Sequence, residues 1–356
     1  MIRFSLLDLE AVPWDQVESC VDHLVFKSKA WFDFLGETQK LKPVILSVAK
    51  DDKIIGFFVG AGIRKGVRIV AGPFEGWTTP FQGLTFLEPI SAQERIAIYG
   101  QLSKYCLQTI GCSFFQATDW HLTPEDMVGS GQSFHSVRGY RLDLTQDEEA
   151  LFSGFSSACR RAIRKAQKSG VRVQESENID QFITNYYDQL CEVFQKKGNK
   201  PTYSRSRVEA LVRHLYGTGN LLLLESRSPD GNCIGTGIFP ATKNLMQFWG
   251  GASFRSHLIL RPNEILFWEA IRYWKKRGVL EFELGGRGAY KEKYGPEPYV
   301  RVQIIATRWP FLAVLKSLAR KVYYGVRHWR GQGILEAGRQ LLVPLKEDRG
   351  DGAEND

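Results

Sequence analysis

Residues 250–295 read GGASFRSHLILRPNEILFWEAIRYWKKRGVLEFELGGRGAYKEKYG. The glycine pair Gly250-Gly251 ends a strand. Pro262 then opens a helix, since the N–H that proline lacks has no intrahelical partner in a first turn. Lys275, Lys276 and Arg277 stand where cations favour the negative end of the helix dipole, and Gly278 stops the helix. Val279 to Leu284 reads as a short strand, and a second glycine pair, Gly285-Gly286, leads into Tyr290-Lys291-x-x-Tyr294-Gly295. The order strand, helix, strand, glycine-rich loop, with one lysine between aromatic rings, predicts an α/β unit with chemistry at its loop end.

An internal echo extends that reading. Residues 44–72, VILSVAKDDKIIGFFVGAGIRKGVRIVAG, and residues 221–251, LLLLESRSPDGNCIGTGIFPATKNLMQFWGG, each read as strand, turn, strand, turn, strand. Ile55-Gly56 answers Ile234-Gly235, and Gly56 to Gly72 spans the same 16 positions as Gly235 to Gly251. A helix follows each: 92–110, stopped by Gly111, and 263–277, stopped by Gly278. Ile-Gly alone is a match that chance supplies between two β-meanders, but the shared spacing and element order favour duplication. Thr145 with Glu148 reads as a capping box. It opens a helix with Phe152, Phe155, Cys159, Ile163 and Ala166 on one face, closed by Gly170. A strand over 171–173 and a helix marked by Val208, Leu211, Val212 and Leu215 come next. The expected division is 1–144, first unit; 145–307, second unit, carrying the reactive site; 308–346, a basic helical segment; and 347–356, an acidic, glycine-rich disordered tail.

Composition narrows the class. The chain has 356 residues, 43% of them hydrophobic, with nine Trp and 22 Phe, enough for two cores and for aromatic grooves. It has no run of about 18 apolar residues, and its first residues lack the apolar stretch of a secretory signal. Six scattered cysteines, without CxxC or histidine at ligand spacing, fit reduced thiols and no metal site. The net charge of +8 favours an anionic partner.

The Gly-Gly strand end and the Tyr290-Lys291-x-x-Tyr294-Gly295 element resemble the closing half of the GNAT-type domain of Fem peptidyltransferases and their acetyltransferase-like relatives, where the element is Phe-Lys-x-x-Phe-Gly. Glu283 stands where that family usually has Asp. The Gly72-Pro73-x-x-Gly76-Trp77 loop and the Arg-x-x-Ile-Arg-Lys-Ala string starting at Arg160 resemble further segments of the group, and the likeness runs over about residues 20 to 310. It implies two tandem GNAT-like (acyl-CoA N-acyltransferase) domains of α/β, or α+β, class with a C-terminal helical segment. The implied activity is acyl transfer. Fem enzymes take an aminoacyl group from tRNA to a peptidoglycan precursor; the relatives use an acyl thioester on envelope or extracellular polysaccharides. The coiled-coil arm inserted in several Fem enzymes is missing, which leans away from tRNA. The pyrophosphate loop Arg/Gln-x-x-Gly-x-Gly/Ala is also missing, which leans away from acyl-CoA. Transfer from acyl-CoA or another thioester to the amine of an amino sugar or related envelope precursor is the favoured expectation. Aminoacyl-tRNA is the alternative donor, and a non-catalytic binding module the alternative class. The expected partners are a phosphorylated or lipid-linked precursor, tRNA under the second reading, and an anionic membrane surface, but not DNA. The expected setting is the cytoplasm or the inner membrane face.

Acyl transfer to an amine develops negative charge on the former carbonyl oxygen, and a cation fixed at that oxygen is a large catalytic contribution. Lys291 is the candidate, with Tyr290 and Tyr294 excluding water around it; Lys293 is expected in solvent. Glu281 and Glu283 share one face of their strand. They either split acid and base roles or supply a salt bridge to a neighbouring helix, and Glu283, nearer the loop, is the candidate base. Trp31 and the loop from Gly72 to Pro80 form a candidate substrate-binding cluster, in which Trp77 and Phe81 either stack on a sugar or a base or form an aromatic lid packed on their own unit. Arg160, Arg161, Arg164, Lys165 and Lys168 form a cationic helix face without acidic partners one turn away, suited to phosphate. After Trp309, Leu312, Leu315, Ala319, Val322, Val326 and Trp329 form an apolar stripe opposite Lys316, Arg320, Lys321, Arg327 and Arg330. That segment is expected to dock on the first unit, with membrane contact secondary.

Overall fold

The computed structural model describes residues 1–309 apart from positions 40, 75, 77, 197 and 287. Trp77 and the helical segment and tail expected from residue 310 onward lie outside the described residues. The strands are β1 (Ile2–Leu6), β2 (Lys42–Lys50), β3 (Lys53–Lys65), β4 (Val67–Gly72), β5 (Gly83–Phe86), β6 (Phe114–Asp119), β7 (Ser133–Asp143), β8 (Arg172–Glu175), β9 (Leu221–Arg227), β10 (Cys233–Pro240), β11 (Leu245–Gln247), β12 (Gly250–Ser253), β13 (Glu281–Glu283) and β14 (Glu297–Thr307). The helices are α1 (Trp14–Glu18), α2 (Lys29–Gln39), α3 (Ala92–Gln108), α4 (Glu148–Gly154), α5 (Ser157–Lys168), α6 (Ile179–Gln195), α7 (Arg205–Leu215), α8 (Pro262–Lys276) and α9 (Ala289–Glu292).

A ten-stranded sheet runs β1-β2-β3-β4-β6-β14-β7-β13-β11, with β5 added on β3, and a four-stranded sheet runs β12-β10-β9-β8. The large sheet carries strands from both sides of residue 144. β14 lies between β6 and β7, antiparallel to both. Its alternation explains the placement: Val302 and Ile304 face the core under α3, while Tyr299, Arg301 and Gln303 point to the opposite face. A second core forms where α5 and α8 cover Leu222, Leu224, Phe239 and Phe282.

The two repeats differ at one place that matters. In the first, β4 stays whole and pairs with both β3 and β6. In the second, the corresponding segment breaks at Phe248-Trp249. β11 stays with β13 in the large sheet, and β12 leaves with β10 in the small one. The two sheets therefore part beside the C-terminal end of β13.

The helix expected after Thr145 is two helices. Asp147, not Thr145, caps α4 by accepting from the Ala150 N–H at 2.7 Å, and Thr145 instead donates its hydroxyl to Asp143 at 2.6 Å. The chain leaves the helix at Phe155, and Ser156 caps α5. The two caps are closer in sequence than one continuous helix allows, and the local hydrogen bonds win over the apolar periodicity.

Beneath α3, Arg95 is buried between two carboxylates. It bonds Asp119 at 3.1 Å and Asp22 more closely, while the Tyr99 hydroxyl also donates to Asp119, at 2.8 Å. Asp22 in turn accepts from Thr85 and from the Phe86 N–H, tying the loop before α2 to β5. Removing a partner from a buried pair costs about 3–5 kcal/mol, because the remaining charge is uncompensated. Arg95→Leu is therefore expected to lower the unfolding free energy by about that amount, read by urea denaturation. A change below about 1 kcal/mol would show that the two aspartates are not held as anions.

Candidate functional site

Glu283 ends β13 and is 1% exposed. Three elements bring donors to its carboxylate. The Gly285 N–H reaches Oε1 at 2.6 Å, the Tyr299 hydroxyl on β14 reaches the same oxygen at 2.7 Å, and Gln247 Nε2 on β11 lies 3.4 Å from Oε2. Burial raises the Glu283 pKa above its ordinary value; the Tyr299 bond, the charge of Lys291 and the Gly285 N–H oppose that rise. Two glycines make the arrangement possible. Gly285 has φ +81°, and a Cβ there would stand 3.1 Å from Lys291 Nζ. Gly139 on β7 leaves room for the Tyr299 ring, since a Cβ there would fall 2.4 Å from the phenol oxygen.

Lys291 sits in α9, 7% exposed, and Nζ donates to the Gly286 carbonyl at 2.7 Å. Burial lowers its pKa, and Glu283 opposes that change. The two form no ion pair, so each keeps hydrogen-bonding capacity for a third group while feeling the other's charge. Tyr290 beside them is 59% exposed, its ring 5.5 Å from Lys291 Nζ. A buried carboxyl with raised proton affinity and a buried cation thus meet where the two sheets separate. Such a pair can take a proton and steady a developing anion.

Glu281 is the salt-bridging glutamate, but its partner is on a strand, not a helix. It accepts from Arg141 of β7, and its other oxygen accepts from Trp120 Nε1 at 2.8 Å.

Several expected ligand contacts are replaced by packing. Trp31 is fully buried, edge-on to Phe26 and Phe34, with its indole N–H given to Thr79 at 3.0 Å, so no ring face is left for a sugar. Phe81 is likewise buried, against Trp120. Tyr294 stacks on Phe267 at 4.2 Å within the second core; its ring fills space instead of lining the site. Lys293 pairs with Glu264 at 2.7 Å, so it is not a solvated lysine.

The α5 cations divide. Arg160 turns back to the Ser153 and Phe155 carbonyls that end α4, and Arg164 covers the Phe152 ring at 5.5 Å. Arg161 and Lys165 remain exposed and, with Arg261, Glu264 and Lys293, line a cavity of about 300 Å³ between α5 and the start of α8. That cavity has four cations to one carboxylate. Among the described residues no three His, Cys, Asp or Glu side chains group as metal ligands.

Sequence reasoning did not single out Tyr299, Gln247, Arg141, Trp120 or Arg301. The one available signal was the alternation of Glu297, Tyr299, Arg301 and Gln303, which puts four polar or amphipathic side chains on one face of β14.

Residues 153–299 match the family model described as an acetyltransferase (GNAT) domain. The crystal structure of FemX is similar in fold, with a TM-score of 0.69 at 10% identity, covering 86% of this chain and 97% of that one. A conserved protein of unknown function from Bacteroides thetaiotaomicron has a TM-score of 0.54 at 11% identity over 86% and 99%. A tandem GNAT protein from the clavulanic acid biosynthesis pathway has 0.45 at 13% over 87% and 99%. No curated protein matches the sequence.

Tyr299 donates to Glu283 and thereby favours the charged carboxylate. Tyr299→Phe is expected to move the Glu283 titration, followed by ¹³C NMR of the labelled carboxyl, to still higher pH than in the wild-type protein. A titration at the ordinary carboxylate value in both proteins would contradict the buried, tyrosine-held carboxyl.

Proposed function

We propose that this chain, whose residues 153–299 match a GNAT acetyltransferase domain model and whose fold is similar to that of FemX, is an acyltransferase that moves an acyl group from a phosphate-bearing thioester to the amine of an amino sugar or a related phosphorylated or lipid-linked envelope precursor. The observation that carries the reading is the buried, unpaired couple of Glu283 and Lys291 at the Gly285-Gly286 strand end. The bound thioester supplies an acyl carbonyl and a sulfur leaving group. Glu283, its proton affinity raised by burial, accepts the proton that the attacking amine must lose. Lys291, held against the Gly286 carbonyl, offers its remaining N–H bonds to the carbonyl oxygen as charge develops there. Tyr299 and the Gly285 N–H keep the Glu283 carboxyl in one orientation, and the exposed Tyr290 ring covers the lysine.

For the donor, acyl-CoA is favoured by the cations Arg161, Lys165 and Arg261, which line a cavity at the N-terminal end of α8 and suit its phosphates. Backbone N–H groups and dipole there add to the side-chain charge toward a phosphate. Aminoacyl-tRNA is the second reading, favoured by the exposure of Arg161, Lys165 and Lys168 along one helix. Work on an envelope precursor would place the enzyme at the inner membrane face. Among the described residues no helix is long and apolar enough to cross a membrane.

Removing one donor from an oxyanion site costs about 100-fold or more in turnover. Lys291→Ala is expected to lose at least that much, with its melting temperature near that of wild type; turnover within a factor of three would remove Lys291 from the mechanism. For the donor, acetyl-CoA at about 100 times its Kd should stabilise the protein by about 2.7 kcal/mol in thermal unfolding. The double variant Arg161→Gln, Lys165→Gln should lose that stabilisation. Stabilisation by aminoacyl-tRNA alone would establish the second reading.

A further inference from the structure

Arg301 on β14 lies on the same face of the large sheet as Glu283, separated from it by the Tyr299 ring. Its guanidinium sits 4.7 Å from the centre of the Trp120 ring and 5.5 Å from that of Tyr299. It donates to the Val300 carbonyl at 3.2 Å, while its Nε–H is buried and has no hydrogen-bond partner. The charges of Glu281 and Asp119 act on it, but neither forms an ion pair with it. Glu281 and Glu297 are both bonded to Arg141, the second arginine of the cluster, and no described carboxylate pairs with Arg301. A fixed, planar cation stacked on aromatic rings, with free N–H bonds, is what bidentate recognition of a carboxylate or phosphate requires.

Two further orphaned atoms are on this face. Gln247 gives its N–H to Glu283, leaving its Oε1 buried without a partner. Gln303, two residues beyond Arg301, gives its N–H to Thr118 at 3.0 Å and is left in the same state. Both glutamines are more than nine-tenths buried. Buried acceptors of this kind are ordinarily satisfied, by protein or by what binds. The face therefore offers hydrogen-bond acceptors flanking Glu283 and Arg301, together with a guanidinium that has no ion-pair partner among the described residues.

We propose that Arg301 is a specificity-determining residue: it receives an acidic group, phosphate or carboxylate, carried by the acyl acceptor, while Gln247 and Gln303 accept from its amine and hydroxyl groups. This inference rests on the reading that Glu283 and Lys291 are the reacting centre, and it narrows the acceptor to an amine that is also an acid.

The test separates the two. Binding of glucosamine 6-phosphate and of glucosamine is measured by calorimetry on the full chain, for wild type, Arg301→Gln, Arg301→Lys and Lys291→Met. The expected result is at least tenfold tighter binding of the phosphorylated amine by wild type. Lys291→Met should retain that preference, Arg301→Gln should lose it with glucosamine binding unchanged, and Arg301→Lys should restore part of it. Equal affinity of wild type for both amines, or an undiminished preference in Arg301→Gln, overturns the proposal. So does a preference that disappears in the Arg161→Gln, Lys165→Gln protein instead. A preference that follows Arg301 while Lys291→Met turns over normally leaves Arg301 as the anion receptor and refutes only the assignment of the reacting centre. Should Arg301→Gln fold poorly, Arg301→Lys alone decides, because a point-charge ammonium cannot reproduce the bidentate fork: an unchanged preference there also overturns the proposal.

Discussion

Keeping a carboxyl group out of water is costly unless its oxygens are given donors, and Glu283 is kept out of water. The donors come from three separate parts of the chain. Gln247 arrives on β11, the Gly285 N–H on the turn that follows β13, and the Tyr299 hydroxyl on β14. That requirement accounts for much of the second unit. β14 must run between β6 and β7 so that Tyr299 reaches across β7 to β13, and β7 must carry a glycine where the ring crosses it. Gly285 must take a left-handed conformation to turn its N–H back on the carboxylate and make room for Lys291. The same strand places Arg301 and Gln303 beside the site, so the elements that hold the carboxyl also shape what approaches it.

The two repeats use one architecture for different ends. Counted from the glycines that stop their helices, Gly111 and Gly278, the position of Glu283 falls on Gln116 in the first repeat. Gln116 is buried too, but it is a neutral amide that donates to the Pro73 carbonyl at 2.8 Å. β4 is unbroken there, and the first repeat spends its buried charge on the network of Asp22, Arg95 and Asp119. In the second repeat the break at Phe248-Trp249 sends β11 and β12 to different sheets, so the two sheets part beside the carboxylate. The acyl-transfer reading therefore applies to the second repeat, and the first supports it through β6 and β7, the strands between which β14 pairs.

The fold was legible because glycine and proline mark the ends of its elements. Gly111, Gly278 and Pro262 delimit α3 and α8, and the spacing of Gly56 to Gly72 and Gly235 to Gly251 exposed the repeat. That Lys291 and Glu283 come together was legible because they flank a glycine pair. Tyr299 was not, since a hydrogen bond between strands depends on β14 pairing with β7, which no local pattern encodes. Trp31, Tyr294 and Phe81 misled for a related reason: an aromatic ring looks the same in sequence whether it faces a groove or a core, and burial decides. The exposed face of the cationic helix was legible, but two of its cations turn away from it. Arg160 and Arg164 reach backward to α4, an element that the apolar periodicity had merged with α5.

The central claim is that Glu283 as base and Lys291 as cation act together in one buried site. Burial pushes their proton affinities toward each other, the carboxyl up and the ammonium down. Transfer requires Glu283 without its proton and Lys291 with it, so kcat/KM should rise with pH through the raised carboxyl value and fall through the lowered ammonium value. The direct measurement is the pH dependence of kcat/KM for transfer from acetyl-CoA to glucosamine 6-phosphate. The account predicts a bell whose limbs lie inside the ordinary glutamate and lysine values, with the acid limb lost in Glu283→Gln and the basic limb lost in Lys291→Met. A flat profile, or a bell unchanged by both substitutions, would contradict it.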